Sequence, residues 1–213
     1  FQQIAADRLE TVMRMEAARM VDLALSEKAA ETELDVILEE RSQRTDNDPG
    51  ALFSEQMAAT LYLNHPYADP IIGWRAEMET LSRADALAFY ERFYAPDNAI
   101  LVVAGDVTPE EVRALAEAHY GPLEPSGRPR AARPQEPPHR APRRVEMEDA
   151  RVRQPYMVRQ YLAPTRVSGT AEQAAALSIL SEILGGSGVT SRLGRALQVE
   201  QGLALSAGAF SSA

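Results

Sequence analysis

The chain has 213 residues, 45% apolar and 25% charged, with a formal net charge of −9; this length suits one large or two small globular domains. The acidic balance argues against a nucleic-acid surface, which needs clustered Lys or Arg, and no apolar run approaches the length of a bilayer span. With no cysteine, disulfides, thiolate zinc sites and cysteine nucleophiles are excluded, and any metal must use His, Asp or Glu.

The first forty or so residues read as helix, with Leu9, Val12, Met13, Met20, Leu23 and Ala24 at helical spacing and Glu16 on the same face. Ser26 and the stretch from Ala29 to Thr32 suggest a break, with Thr32 as a cap for the next helix. Asp46-Asn47-Asp48-Pro49-Gly50 ends that helix, and another is expected from about Gly50 to Leu63. Asn64 to Pro70 reads as a rigid loop held extended by its prolines. Ser82-Arg83-Ala84-Asp85 resembles a capping box at the start of a helix running to about Tyr94. Ala99 to Ala104 reads as a short strand buried on both faces. Thr108-Pro109-Glu110-Glu111 opens a further helix to about Tyr120.

From Glu124 to Arg144 there are six Pro and six Arg and almost no large apolar side chain, which reads as an extended linker. Beyond it, Val145 to Ala150 and Gln154 to Leu162 are expected strands. Ala171 to Leu184 is expected as a helix, followed by Gly185-Gly186-Ser187-Gly188, a helix from Ser191 to Glu200 and the start of a strand from Leu203 to Phe210. The domain pattern is thus 1–123, a linker at 124–144, and 145–213.

Two acids in the second helix ask for an explanation. Glu33 and Glu40 are seven residues apart, which in a helix places them about 20° from each other on one face. Val36 and Ile37 fall within about 60° of Glu33, so this face is expected toward the core. An ionised carboxylate there costs several kcal/mol unless it is paired or holds a metal. Long side chains at the edge of an apolar stripe can instead snorkel outward, and the pattern alone allows either reading.

Other motifs carry less. The Gly185–Gly188 loop lies between two helices and has no Lys before its hydroxyl residues, which disfavours a phosphate-binding loop; a loop contacting an extended peptide, or a plain turn, is the stronger reading. The three histidines, His65, His119 and His139, include no pair at i, i+4 spacing. No G-x-S-x-G nucleophile elbow occurs.

Several segments in fixed order resemble the inverted zinc metallopeptidases of the pitrilysin and insulinase type, closest to the mitochondrial processing peptidase branch and its bacterial relatives. They are Met15 to Met20, Glu33 to Glu40, His65-Pro66-Tyr67, Ile72-Gly73-Trp74, Tyr94 to Asn98, Gly105-Asp106-Val107, and Leu184-Gly185-Gly186 through Gly202-Leu203-Ala204. The resemblance implies an α+β chain of two lobes, each an incomplete peptidase-type domain with a mixed or antiparallel sheet packed against helices. In that family an H-x-x-E-H helix supplies two zinc-binding histidines and a general base, and a Glu on a second helix completes the site. Carried over, Glu40 looks like that metal ligand, Glu33 like the catalytic-site accessory that supports it, and Gly185 and Gly186 like contacts for a polypeptide substrate. Glu16 looks like a further outer acid.

Two departures qualify the match. No H-x-x-E-H occurs in these residues, so the chain reads as a fragment whose catalytic histidines lie upstream. The family's substrate-binding Arg and Tyr correspond here to Gln198 and Leu205. Together these imply the zinc-bearing subunit of a homo- or hetero-dimer whose partner supplies the Arg and Tyr. The absence of an apolar span reads as a soluble chain, and the sequence leaves the compartment, bacterial periplasm or cytoplasm, open. The chain by itself is expected to be inactive and to hold zinc weakly or not at all. The rival is a non-catalytic subunit of the same fold, as in the core proteins of respiratory complexes.

Overall fold

The computed structural model describes residues 1–128 and 132–212; residues 129–131 of the expected linker and residue 213 lie outside them. The chain forms two compact units, Phe1–Pro155 and Tyr156–Ala213.

Six helices organise the first unit: α1 Leu9–Arg19, α2 Glu27–Arg41, α3 Pro49–Leu61, the single turn α4 Arg75–Met78, α5 Arg83–Phe93 and α6 Pro109–His119. Local sequence explains most of their starts. The Ser82 hydroxyl accepts the Asp85 N–H, and the Asp85 carboxylate takes the Ser82 N–H at 2.9 Å, the reciprocal capping the spacing predicts. Thr108 and Glu111 repeat the arrangement ahead of Pro109. Asp48 caps α3 by accepting the N–H groups of Gly50 and Ala51. The cap of α2 is Ser26, which accepts the Ala29 N–H at 3.1 Å. Thr32 lies inside that helix and donates to the Lys28 carbonyl, so α2 starts a turn and a half before the expected cap.

Burial is concentrated at a few points. Met13 and Ala17 are buried on α1, which packs against α6, and Met78 is buried at α4, which packs against α2. The Tyr90 hydroxyl of α5 donates to the Arg19 carbonyl at 2.9 Å, closing the end of α1. The second unit is built on α7, Ala171–Ser181, capped by Thr170 and Gln173. Wider helical turns continue it over Glu182–Gly186 and Gly194–Glu200.

The expected α+β class is not what the chain adopts. Among the described residues there is no strand and no sheet, and the regular structure is helical. Ala99 to Ala104, expected to be buried on both faces, leaves Ile100 87% and Val102 80% exposed. Tyr156 to Leu162 and Leu203 to Phe210 likewise present large apolar side chains to the surface. The physical reason is that β-propensity describes a fit to a paired surface. A run of Ile and Val becomes a strand only where a neighbour takes its N–H and C=O groups, and no such ladder forms among the described residues.

Candidate functional site

The last turns of α2 hold the charged features that the sequence singled out. The helix does not bury the face that carries Glu33. Val36 is 54% exposed and Glu33 is exposed, while Leu34, Ile37 and Leu38 are half-buried and Arg41 is buried. The inward stripe is therefore centred on Leu34, Leu38 and Arg41, about 80° or more around the helix from Glu33. The expectation that both acids face the core is corrected: they lie on the open side of the helix.

Arg41 explains that rotation. Its side chain is 4% exposed, and its guanidinium forks onto Glu55 of α3, with Nη1–Oε2 at 2.9 Å and Nη2–Oε1 at 3.1 Å. The same Nη1 donates to the Gly73 carbonyl at 2.7 Å, and Nε stands 3.4 Å from Asp46 Oδ1. The Glu55 side chain is 7% exposed. Arg75 Nη1 shares Asp46 at 2.7 Å, and its Nε pairs with Glu79 at 2.8 Å. Hydrogen bonding to Glu55, opposed by burial, raises the Arg41 pKa above its ordinary value, so the guanidinium is a permanent charge. Gly73 contributes a backbone shape that favours glycine, with φ +93. The sequence reading passed over this group. The available signal was an arginine in register with Leu34 and Leu38, with Asp46 and Glu55 following it.

Glu40 points elsewhere. Its side chain is 42% exposed, Arg44 pairs with its Oε1 at 3.0 Å, and it shares an open helix face with Thr32, Asp35, Val36, Glu39 and Gln43. Glu33 lies two turns away on the same open side. Glu16 is paired with Arg19 at 2.9 Å and accepts from Gln2 at 3.1 Å.

For zinc, the donor chemistry fits at Glu40 as one carboxylate ligand. Among the described residues no three His, Cys, Asp or Glu side chains converge on a point that could hold a metal.

The two glycines behave differently. Gly185 is buried, and a side chain on it would run into the backbone of Gly208 and Ala209. Gly186 is exposed, and the space beside it is taken by the flexible Glu182 carboxylate. Gln198 and Leu205 do meet: the Gln198 amide donates to the Leu205 carbonyl at 2.6 Å.

The Pro/Arg segment carries its own set of contacts within the first unit. The Glu136 carboxylate accepts the N–H groups of Leu63, Asn64 and His65 at 2.8 to 2.9 Å. Arg143 donates to the carbonyls of Thr60 and Leu61 at the end of α3. Arg151 donates to the Asn47 carbonyl just ahead of α3. Burial pushes the Glu136 carboxyl up, but the three amides and His139 outweigh it and lower its pKa to about 2. The His65 ring accepts the Tyr67 N–H at 3.2 Å and stands edge-on to the Tyr67 ring. No helix among the described residues is long and apolar enough to cross a membrane.

Comparison with known proteins gives this geometry a context. The family model described as the peptidase M16 inactive domain matches residues 80–213. An uncharacterized zinc protease of Mycobacterium leprae is 31% identical over 205 residues, covering 93% of this chain and 44% of the relative. The probable mitochondrial-processing peptidase subunit beta of Schizosaccharomyces pombe is 33% identical over 121 residues, covering 54% of this chain and 26% of that protein. The crystal structure of a protease from Helicobacter pylori superposes with a TM-score of 0.64 at 25% identity, covering 94% of this chain and 48% of that one. The chain thus spans less than half the length of these relatives. With the family model covering more than half of its residues, and zinc proteases among its relatives, the chain belongs to the peptidase M16 family, the pitrilysin-type metallopeptidases.

Proposed function

We propose that the chain is part of a zinc-dependent endopeptidase and carries that enzyme's carboxylate ligand, Glu40, with Glu33 as the supporting acid. The observation that carries the reading is the placement of Glu40: a half-exposed carboxylate on the open side of α2, paired among the described residues with the surface arginine Arg44. Such a group can exchange Arg44 for a cation at little cost, because exposed ion pairs contribute about 0 to 1 kcal/mol. Zinc, when bound, supplies Lewis acidity and a water that loses its proton near neutral pH. The chain's own residues supply a negatively charged oxygen and hold it at a fixed point on a helix. The remaining ligands come from other parts of the whole protein.

The zinc-bearing subunit of a dimer fits best, since Gln198 and Leu205 stand at the positions of the family's Arg and Tyr and offer neither a cation nor a phenol. Gly185 and Gly186 form the turn beside which an extended polypeptide substrate lies. The chain comprises parts of two peptidase-type domains, 1–123 and 145–213, joined by the connector 124–144. By itself it is inactive and holds zinc weakly.

The test is Glu40→Gln in the whole protein, which keeps the shape and removes the charge. Loss of both zinc retention and proteolysis supports the assignment; unchanged activity refutes Glu40 as the ligand. Tight stoichiometric zinc in the present chain alone would contradict the expectation of weak binding.

A further inference from the structure

We propose that Arg41 is the positioning residue for Glu40, an inference that rests on reading Glu40 as the metal ligand. Neighbouring helical residues point about 100° apart, so the direction of the Glu40 carboxylate is set by how far α2 is rolled about its own axis. Arg41 fixes that roll. Its guanidinium is hydrogen-bonded to two other parts of the chain, Glu55 on α3 and the carbonyl of Gly73, and it pairs with Asp46 in the wider helical turn that continues α2. A roll of one residue would pull this charge out of its partners and turn Glu40 toward the packed side.

The grip depends on shape as well as charge. Two nitrogens of the planar fork meet the two Glu55 oxygens, and one of them also reaches the Gly73 carbonyl. A lysine ammonium is a compact point charge that cannot reproduce a forked contact. Glu55 is held almost as deeply as Arg41, so the pair is an anchor inside the unit rather than a surface contact.

The experiment uses the full-length protein and reads zinc affinity by competition with a chelator, beside the thermal midpoint. Arg41→Lys and Glu55→Gln are each expected to weaken zinc binding about 10- to 100-fold, the range for residues that orient a metal ligand. Met13→Ala, which opens a cavity in the α1 core, is the control for general loss of stability; it lowers the midpoint and leaves zinc affinity unchanged. If Arg41→Lys fails to fold, Glu55→Gln decides the matter. Wild-type zinc affinity in the folded anchor variants, or equal weakening in Met13→Ala, overturns the proposal. Glu40→Gln separates the two readings: if it abolishes zinc binding while the anchor variants bind normally, the Arg41 proposal alone fails. If Glu40→Gln also binds normally, the ligand assignment fails with it.

Discussion

The two sides of α2 handle charge in opposite ways. On the packed side, one arginine is taken out of water, with its two terminal nitrogens hydrogen-bonded to Glu55 and the Gly73 carbonyl and Asp46 as a second counter-charge. On the open side, Glu33 and Glu40 keep access to solvent, and Glu40 pairs with the exposed Arg44. A buried charge is explained by the partners it already has, whereas an exposed acid is open to a partner it has yet to meet. The packed side is therefore read as architecture and the open side as the place for a ligand.

That contrast can be broken most easily by stability measurements. Arg41→Met leaves Glu55 buried without its counter-charge and is expected to destabilise the first unit by about 3 kcal/mol; Glu40→Gln is expected to change stability by less than about 0.5 kcal/mol. Denaturant unfolding checks both, and equal effects would erase the distinction between the two sides. The second unit offers a parallel case in the adjacent glycines. Gly185→Ala meets backbone and is expected to cost about 1–3 kcal/mol, while Gly186→Ala need only displace the end of Glu182 and should cost clearly less. Near-equal thermal midpoints for the two variants would contradict this. Asp48→Ala removes the cap of α3, the helix that carries Glu55, at about 1 kcal/mol. Its effect on unfolding should be smaller than that of Arg41→Met.

The smallest expected effect is local and depends on pH. Glu136 has its folded pKa lowered to about 2, so its contribution is fully present above the unfolded value near 4.5 and is lost as pH falls toward 2. Carboxyl titration by NMR, with amide exchange at Leu63, Asn64 and His65, follows it directly. A Glu136 midpoint near 4.5 would mean that the three amides do not hold the carboxylate in solution.

Much of the helical frame was legible in the sequence because caps are local. Ser82 with Asp85, and Thr108 with Pro109 and Glu111, specify their helix starts within four residues. The strands were not legible, because a ladder depends on a partner that no local pattern contains; Ile100 and Val102 look like strand residues and stand exposed. The roll of α2 was misjudged for a related reason. Val36 is expected in the core and stands exposed, while Arg41 carries no local mark of burial, since a charged residue becomes an inward residue only when distant groups such as Glu55 and Gly73 receive it. Spacing singles out the two glutamates, and the separate roles proposed for them rest on family resemblance.

The central claim, that Glu40 is a metal ligand set on the open side of a helix anchored by Arg41, is tested most directly by the zinc affinity of full-length Glu40→Gln. The account predicts loss of tight zinc binding with an unchanged unfolding transition of the metal-free protein. Wild-type zinc affinity in that variant would contradict it.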